Sequence, residues 1–578
     1  MAAENRHHDE KETPWYTGSE SFQRLRRSCA DDDGQHVAKL RALSRQFGDA
    51  MRGGLERRAE LASSTSTSIS SSTAAPSADA SVSATEGTYD EMAYCGLKML
   101  PSYVRSLPNG SEKGVFYSVD VGGSNLRVMK IVLGENGNEA NGHNGNGNGS
   151  STTTSSAAAT ETSSLFARYL TASVEVEIPP ELMRGTTRAL FAFIAEALVR
   201  FVAAEHRGDT EGRTAVVAFT FSFPMRQELL DAGTLIAWTK GFNCVDGVGD
   251  DVVALLRSGC DDAMAAMRAE QQHTKPSFDA VNVLCLVNDT VGTLAAARFM
   301  DVDASVAVIA GTGSNAAFVV NSDAELKKTA TSTAGEEKGE VEMQTIVNIE
   351  WGNFQCDDLL RLSAADEDGD MGGFYLEADA TIDAASANRG EQFFEKMVAG
   401  MYLGELCRLT AEAVMRECGR PLPRRDGAEG KAFAFTTPMM VSMEAGKEQT
   451  TAIAAAFGID EIRDAEAFAD LIEVLRLVCP LVCARAAQLA GAALTSVISA
   501  LPLSAPKQGR RLRVAVAVDG GVYVNYPSFR ETLHRTVSTL FESGDDEVDV
   551  DIDIDACRDG SGFGAAVVAA GANDNAHL

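Results

Sequence analysis

Positive charge is what this chain has least of: 51 Lys and Arg stand against 82 Asp and Glu in 578 residues, a net charge of −31 at pH 7. Proteins that live on nucleic acid or anionic lipid need a dense field of Lys and Arg, so both are excluded as main partners. One anionic ligand held locally is not excluded, since backbone N–H groups and a few side chains suffice for it. Long apolar runs are missing too. No stretch reaches about 18 uncharged apolar residues, and the nearest contender, Leu471 to Leu501, is interrupted by Arg476 and Arg485. The opening MAAENRHHDEKETPW is too charged for a secretory leader, so a protein without membrane insertion is expected. The 11 cysteines are scattered and form no CxxC pair, which argues for a reducing compartment and against zinc. Cys479 and Cys483, one helical turn apart in an apolar run, read as small buried hydrophobes. No G-x-x-x-x-G-K-[ST] occurs, so the chain is not a P-loop NTPase.

What is present alternates between dense and padded sequence. Ala62 to Thr85 is Ser/Thr/Ala-rich, Gly134 to Ser164 runs through NGHNGNGNGSSTTTSS, and Leu326 to Glu340 is rich in Lys, Thr, Glu and Gly. These segments lack the apolar surface to order themselves and read as loops or linkers. The NGS triplets at Asn109 and Asn148 carry no weight without a secretory signal. The final Ala576-His577-Leu578 resembles a degenerate SKL address, so a cytoplasmic location and a peroxisome-like organelle both stay open.

Between the inserts one order of elements occurs twice. From Val115 it runs strand VFYSVDV, Gly-Gly turn, strand LRVMKIVL, and a third strand at 172–178. In that third strand Val174, Val176 and Ile178 alternate with Glu175 and Glu177, as a half-buried strand does. A helix with Leu190, Phe191, Ile194, Ala197, Leu198 and Phe201 on one face follows, then the strands TAVVAFT and VNVLCLV. From Ser305 the sequence repeats as VAVIAG, turn GTGSN, AAFVV, TIVNI, one long helix around Phe393 to Val414, LRVAVAV, VDVDIDI and a Gly/Ala helix. Two such halves predict two lobes facing a cleft. Ahead of them Val37, Leu40, Leu43, Phe47 and Met51 mark a helix packed on one lobe.

Three glycine turns end strands in this pattern. Asp120-Val121-Gly122-Gly123-Ser124-Asn125 lets the backbone approach a phosphate, and Asp120 is placed to support a Mg²⁺ shell. Taken alone it is equally a plain tight turn. Gly311-Thr312-Gly313-Ser314-Asn315-Ala316 fits the dinucleotide fingerprint G-x-G-x-x-A, but a strand rather than a helix follows, so it reads as a hairpin. Asp519-Gly520-Gly521 is the third. Three such turns over two lobes predict an α/β chain of two duplicated RNase H-like, actin-like ATPase lobes around a central cleft. The acidic ladder Asp549, Asp551, Asp553 spaces its carboxylates about 6–7 Å apart, too far for one small ion.

At this point the residues resemble one family. LKMLPSYVRSLPNGSEKGVFYSVDVGGSNLRV (Leu97 to Val128), FTFSFP (Phe219 to Pro224), WTKGF (Trp238 to Phe242) and VNDTVGTL (Val287 to Leu294) are similar to blocks of the hexokinases. So are AGTGSNAAF (Ala310 to Phe318), NIEWGNF (Asn348 to Phe354), FFEKMVAGMYLGELCRL (Phe393 to Leu409) and DGSGFGAA (Asp559 to Ala566). They occur in the family's order, and the likeness is to the single-unit form enlarged by loops. The resemblance implies a tail over 1–18, a helical segment and linker over 19–96, a small lobe over 97–287, a large lobe over 288–558, and a helix over 559–578 returning to the small lobe.

It also implies a chemistry: transfer of the γ-phosphoryl of MgATP to the 6-hydroxyl of glucose or a related hexose, which needs a base, hydrogen-bonders and N–H or cationic groups. Carried over, Asp289 is the catalytic base, in a place where a helix N-cap is the plainer reading, and Lys240 is the cation beside the moving phosphate. Sugar binding falls to Ser222, Phe223, Thr239, Lys240, Asn288, Asp289, Asn315, Glu350, Gln392 and Glu395. ATP contacts fall to Asp120, Gly122, Gly123, Ser124, Asn125, Arg127, Thr312, Gly313, Gly520 and Gly521, with Asp120 facing Mg²⁺ through water. Departures touch the nucleotide side most: Ser124 replaces Thr, Gly521 replaces Ser or Thr, Arg389 replaces Pro, and 441–451 aligns poorly with the family's nucleotide loop. A sugar sensor that kept the fold with little turnover is the alternative.

Overall fold

A computed structural model of the chain describes residues 14–29, 35–69, 97–104, 106–123, 125–134, 166–207, 213–270, 277–321, 344–356, 373–423, 430–502, 512–542 and 550–576. Insert 326–340, all of insert 134–164 except Gly134, Ser124, Asp549 and the terminal His577-Leu578 lie outside them. Ahead of the first sheet come α1 (Glu20–Arg27), α2 (Gln35–Ile69) and the short strand β1 (Leu100–Pro101). The first half then runs β2 (Gly114–Val121), β3 (Asn125–Leu133), β4 (Leu170–Glu177), α3 (Thr187–Glu205), β5 (Thr214–Phe221), β6 (Met225–Leu229), β7 (Ala232–Leu235), α4 (Val252–Glu270), β8 (Ala280–Val287) and α5 (Asp289–Met300). The second half begins with β9 (Ala304–Ala310), β10 (Ser314–Asn321) and β11 (Gln344–Asn348). Its helices are α6 (Glu377–Ala385), α7 (Phe393–Val398), α8 (Gly400–Glu417), α9 (Thr437–Glu444), α10 (Thr450–Phe457) and α11 (Ala465–Ser499). The chain closes with β12 (Leu512–Asp519), α12 (Gly521–Asn525), α13 (Pro527–Glu542), β13 (Val550–Ala556) and α14 (Gly560–Ala576).

The repeat read from the sequence is a repeat of topology. One sheet has the order β4-β3-β2-β5-β8 and the other β1-β11-β10-β9-β12-β13, so the two agree strand for strand once β1 is set aside. In each, the first three strands form an antiparallel meander, and the fourth and fifth join the first in parallel. The parallel strands deliver Asp120, Phe221, Val287, Ala310 and Asp519 to one end of their sheets, where open α/β folds bind ligands.

Between the sheets lie α5 and α14, packed on each other and sharing a core that takes Phe116 and Met129 from one sheet and Ala307, Ala317 and Val319 from the other. Glycine makes that crossing possible. A Cβ on Gly564 would sit 1.7 Å from the Gly292 carbonyl oxygen. The close seat of α5 fixes its first residue, Asp289, at the junction of the two halves.

Several expectations change. Residues 97–101 belong with the second sheet rather than the small lobe, because Leu100 and Pro101 pair with Asn348 and Val347 of β11. The helical backbone of α2 runs on to Ile69 through the stretch read as a linker from Ala62. Its Phe47 ring packs 4.7 Å from Phe354, 6.2 Å from Phe394 and 6.3 Å from Trp351, which ties α2 to the second half. β4 is an edge strand, and Val174 is 38% exposed where alternation predicted a buried face. The single helix expected over 393–414 is two. It breaks at Ala399 because the next amides are taken elsewhere: Gly400 N–H donates to the Gly311 carbonyl at 2.9 Å and Met401 N–H to the Thr312 carbonyl at 3.1 Å. Cys479 and Cys483 are buried in the core of the second half, and no helix among the described residues is long and apolar enough to cross a membrane.

Candidate active site

Three strand ends and their three glycine turns enclose a cleft of about 330 Å³, lined among others by Asp120, Gly122, Gly311, Thr312, Gly313, Asp519, Gly520 and Ser561. Its floor is backbone. Gly520 has φ +112°, and a Cβ there would meet the Ala310 carbonyl carbon at 2.5 Å. Gly311 lies against it, with room for a Cβ only at 3.4 Å from the Gly520 Cα. These contacts hold two turns from different strands side by side and leave a surface without side chains, the kind of concavity that accepts phosphate oxygens. Gly122 opens the facing turn, where a Cβ would come 3.2 Å from Ser222 Oγ.

Carboxylates surround this floor. Asp120 accepts a hydrogen bond from Ser561 Oγ at 2.6 Å. Asp519 accepts Gly520 N–H at 2.7 Å and Gly560 N–H at 3.2 Å. Burial raises the Asp120 carboxyl to about 6 despite that hydrogen bond, with Asp289 pushing the same way. Burial likewise raises Asp519 to about 7, against the two backbone donors and with help from Asp559 and Asp120. Two carboxyls beside a floor of backbone amides are the donor set that a Mg²⁺–phosphate ligand takes. The residues present therefore fit MgATP. Arg127 lines the same space and is ion-paired with Asp559, with Glu175 at 3.6 Å. Asn125 donates to Glu175, Gly123 lines the cleft, and the called Ser124 is not among the described residues.

The other half of the site is built from crossed side chains. Asn288 caps α5, its Oδ1 accepting Thr290 N–H at 3.0 Å. The cap read for this segment therefore exists, with Asp289 as the next residue. Lys240, at φ +56°, donates from Nζ to the Ser222 carbonyl at 2.9 Å and to Asp289 Oδ2 at 3.2 Å. Burial disfavours its ammonium, but Asp289, Glu395 and Glu350 outweigh that and shift it upward. Asn315 Nδ2 donates to Asn348 Oδ1 at 2.8 Å and Glu350 Oε1 at 3.2 Å, and Asn348 Nδ2 reaches the same Glu350 oxygen at 2.8 Å. Glu395 Oε2 accepts Ser314 N–H at 3.1 Å. Burial is the main cause that moves both Glu350 and Glu395 upward.

Backbone strain concentrates here. Lys240, Glu350 and Gln392 all have φ +56°, a left-handed conformation that non-glycine residues hold only when their surroundings impose it. Gly352 lets the last of these in, since a Cβ on it would lie 2.3 Å from Gln392 Oε1. Ser222 Oγ is buried with no hydrogen-bond partner among the described residues, beside Gly122.

One of the expected residues plays another part. The Phe223 ring is 1% exposed and packs among Phe221, Trp238 and Phe242 at 4.6, 5.1 and 5.0 Å, so its side chain anchors the loop and does not face the site. Thr239 is half-buried, and its carbonyl accepts Phe242 N–H at 3.0 Å in the turn that presents Lys240. In the other direction, the reading from sequence passed over Asp519, Asp559, Ser561, Asn348 and Ser314. Asp519 had a signal, a carboxylate closing an apolar strand before Gly-Gly. Ser561 had none, because its partner Asp120 is 441 positions away. The poorly aligned 441–451 stretch is the end of α9, a turn and the start of α10, outside the lining of the cleft.

Comparison with known proteins gives one answer. Two hexokinase family profiles match residues 77–299 and 305–571. Hexokinase-1 of Spinacia oleracea is 36% identical over 485 residues, covering 82% of each chain. Hexokinase-2 of Solanum tuberosum is 36% identical over 480 residues, covering 82% of this chain and 83% of that one. Among solved structures, the hexokinase of Schistosoma mansoni complexed with glucose is similar with a TM-score of 0.62 and 25% identity, over 95% of this chain and 99% of that one. With duplicated sheets, a glycine-floored phosphate cleft and an Asp–Lys pair at their junction, this chain belongs to the hexokinase family.

Proposed function

We propose that this chain transfers the γ-phosphoryl of MgATP to the 6-hydroxyl of glucose or a related hexose. The observation that carries the reading is the Lys240–Asp289 pair, 3.2 Å apart with both side chains 11% exposed, where the polyol-type hydrogen-bond shell meets the glycine-floored cleft. Asp289 is the base. It takes the proton of the hydroxyl as that oxygen bonds to phosphorus and the bond to the ADP oxygen breaks. Lys240 orients the Asp289 carboxylate and faces the negative charge that develops between the lobes.

Glu350, Asn315, Gln392, Glu395 and Ser222 hold the other hydroxyls, as carboxylates and amides that pair with neighbouring polyol groups do. When bound, MgATP supplies the electrophilic phosphoryl and a cation that offsets its charge. Asp120 and Asp519 face that cation, and the amides of the three turns face the phosphate oxygens. Burial of Asp289, Glu350, Gln392 and Glu395 to 5–8% exposure excludes bulk water from the transfer. The test is a hexose panel assayed with MgATP for the hexose 6-phosphate. Product from glucose or a related hexose is expected, and measurable sugar binding without product would return the sensor reading. The C-terminal Ala576-His577-Leu578 is proposed as an organelle address, and a tagged chain that stays cytosolic with it intact argues against that.

A further inference from the structure

Lys396 lies next to Glu395 on α7, outside the reaction centre, and is 2% exposed. Its ammonium donates to Asp383 Oδ1 at 2.7 Å, to the Asn388 carbonyl at 2.8 Å and to the Glu391 carbonyl at 2.8 Å. An ammonium has three protons, and all of them are used, two on one short loop and one on Asp383 at the end of α6. Asp383, at the end of α6, closes the same loop from the other side by accepting Gly390 N–H at 3.0 Å. The loop's other bonds are local turn bonds, Ser386 N–H and Oγ to the Asp383 carbonyl and Glu391 N–H to the Asn388 carbonyl, while Ala387, Arg389 and Gly390 are exposed.

The loop leads directly into the hexose half of the site. Its next residue is Gln392, at φ +56° and 5% exposed. The Gln392 carbonyl then accepts Lys396 N–H at 3.0 Å as the first bond of α7. Lys396 thus grips the segment before Gln392 with its side chain and Gln392 itself with its backbone. Packing alone would not need an ion here, since burying a charge is unfavourable unless its partners are fixed in geometry.

We propose that Lys396 is the positioning residue of the hexose half, pinning loop 386–391 so that the Gln392 carboxamide and the Glu395 carboxylate keep one spacing and direction toward the sugar. The inference rests on those two residues binding the hexose. It makes Lys396 a determinant of sugar affinity that touches neither sugar nor nucleotide.

Steady-state kinetics on the full chain test it. In Lys396→Met the hexose KM rises about tenfold or more while the MgATP KM stays within about twofold, the split expected when only one subsite is misplaced. A general folding defect would not spare one substrate. The double variant Lys396→Met with Gln392→Ala has a hexose KM within about twofold of Gln392→Ala alone, because coupled residues are not additive. Should Lys396→Met fail to fold, Asp383→Ala removes one of the three acceptors at a less buried position, and about a threefold rise in hexose KM is expected. Hexose KM at the unmodified value in the Lys396 or Asp383 variant, or fully multiplicative effects in the double variant, overturns the positioning role. An unaltered hexose KM in Gln392→Ala alone overturns the sugar-site reading and the inference with it.

Discussion

The two halves of the cleft recognise by opposite means. The nucleotide half is a floor of bare backbone, where Gly311 and Gly520 touch and no side chain intervenes. The hexose half is a lattice of buried side chains, in which Asn315, Asn348, Glu350 and Ser314–Glu395 hold one another before any sugar arrives. Phosphate is strongly charged and nearly isotropic, so amides at the right distance are enough. A hexose is neutral and differs from its epimers by the direction of one hydroxyl. Telling them apart takes donors and acceptors fixed in angle, and Lys240, Glu350 and Gln392 are held on left-handed backbone.

The strongest way to break this contrast is at the seam. Asp289→Ala removes the proposed base, and kcat is expected to fall about 10²–10⁴-fold with sugar affinity nearly unchanged. Near-normal kcat in a coupled assay would refute the base. Gly520→Ala attacks the nucleotide half alone. Its Cβ would strike the Ala310 carbonyl carbon at 2.5 Å in a φ +112° backbone. A strain of about 1–3 kcal/mol predicts roughly a 10–100-fold rise in MgATP KM with little change for hexose. Glu350→Ala is the mirror experiment. Loss of a carboxylate accepting from Asn315 and Asn348 should raise hexose KM about tenfold and leave MgATP KM alone.

The smallest effect is in pH. Burial raises Asp120 from 3.8 to about 6 and Asp519 from 3.8 to about 7. In the ligand-free chain these groups keep protons that the unfolded chain releases, so their contribution to stability is lost as pH rises from about 4 to about 7. MgATP needs the ionised forms. Its affinity should therefore weaken about tenfold as pH falls from 8 to below 6, measured by calorimetry, and Asp519→Asn should flatten the upper part of that slope.

Local features of the chain were readable and tertiary ones were not. The hairpin at Gly311-Thr312-Gly313 followed from the β-branched AAFVV after it, and β9 and β10 do pair across it. The cap at Asn288 and Asp289 followed from its place after an apolar strand. Phe223 misled because its aromatic neighbours Trp238 and Phe242, which take its ring into the core, are 15 and 19 positions on. The break at Ala399 was invisible, because its cause is a pair of hydrogen bonds to Gly311 and Thr312 that helix propensity cannot register. The Ser561–Asp120 bond joins residues 441 positions apart, and neither residue type announces it.

By itself, the sequence determined the repeat, the turns and the residue types that suit a phosphate and a polyol, because periodicity, glycine and capping act over a few residues. Tertiary structure alone decided which of those residues meet. Two glycines, 292 and 564, let α5 and α14 cross at contact, and that crossing sets Asp289 where the two halves face each other. The net charge of −31 excluded polyanion partners from the start. Only folding made the local exception, bringing Lys240 to Asp289 and leaving bare amides beside Asp120 and Asp519. Long-range packing, not composition, determines where an acidic chain can hold a more acidic ligand.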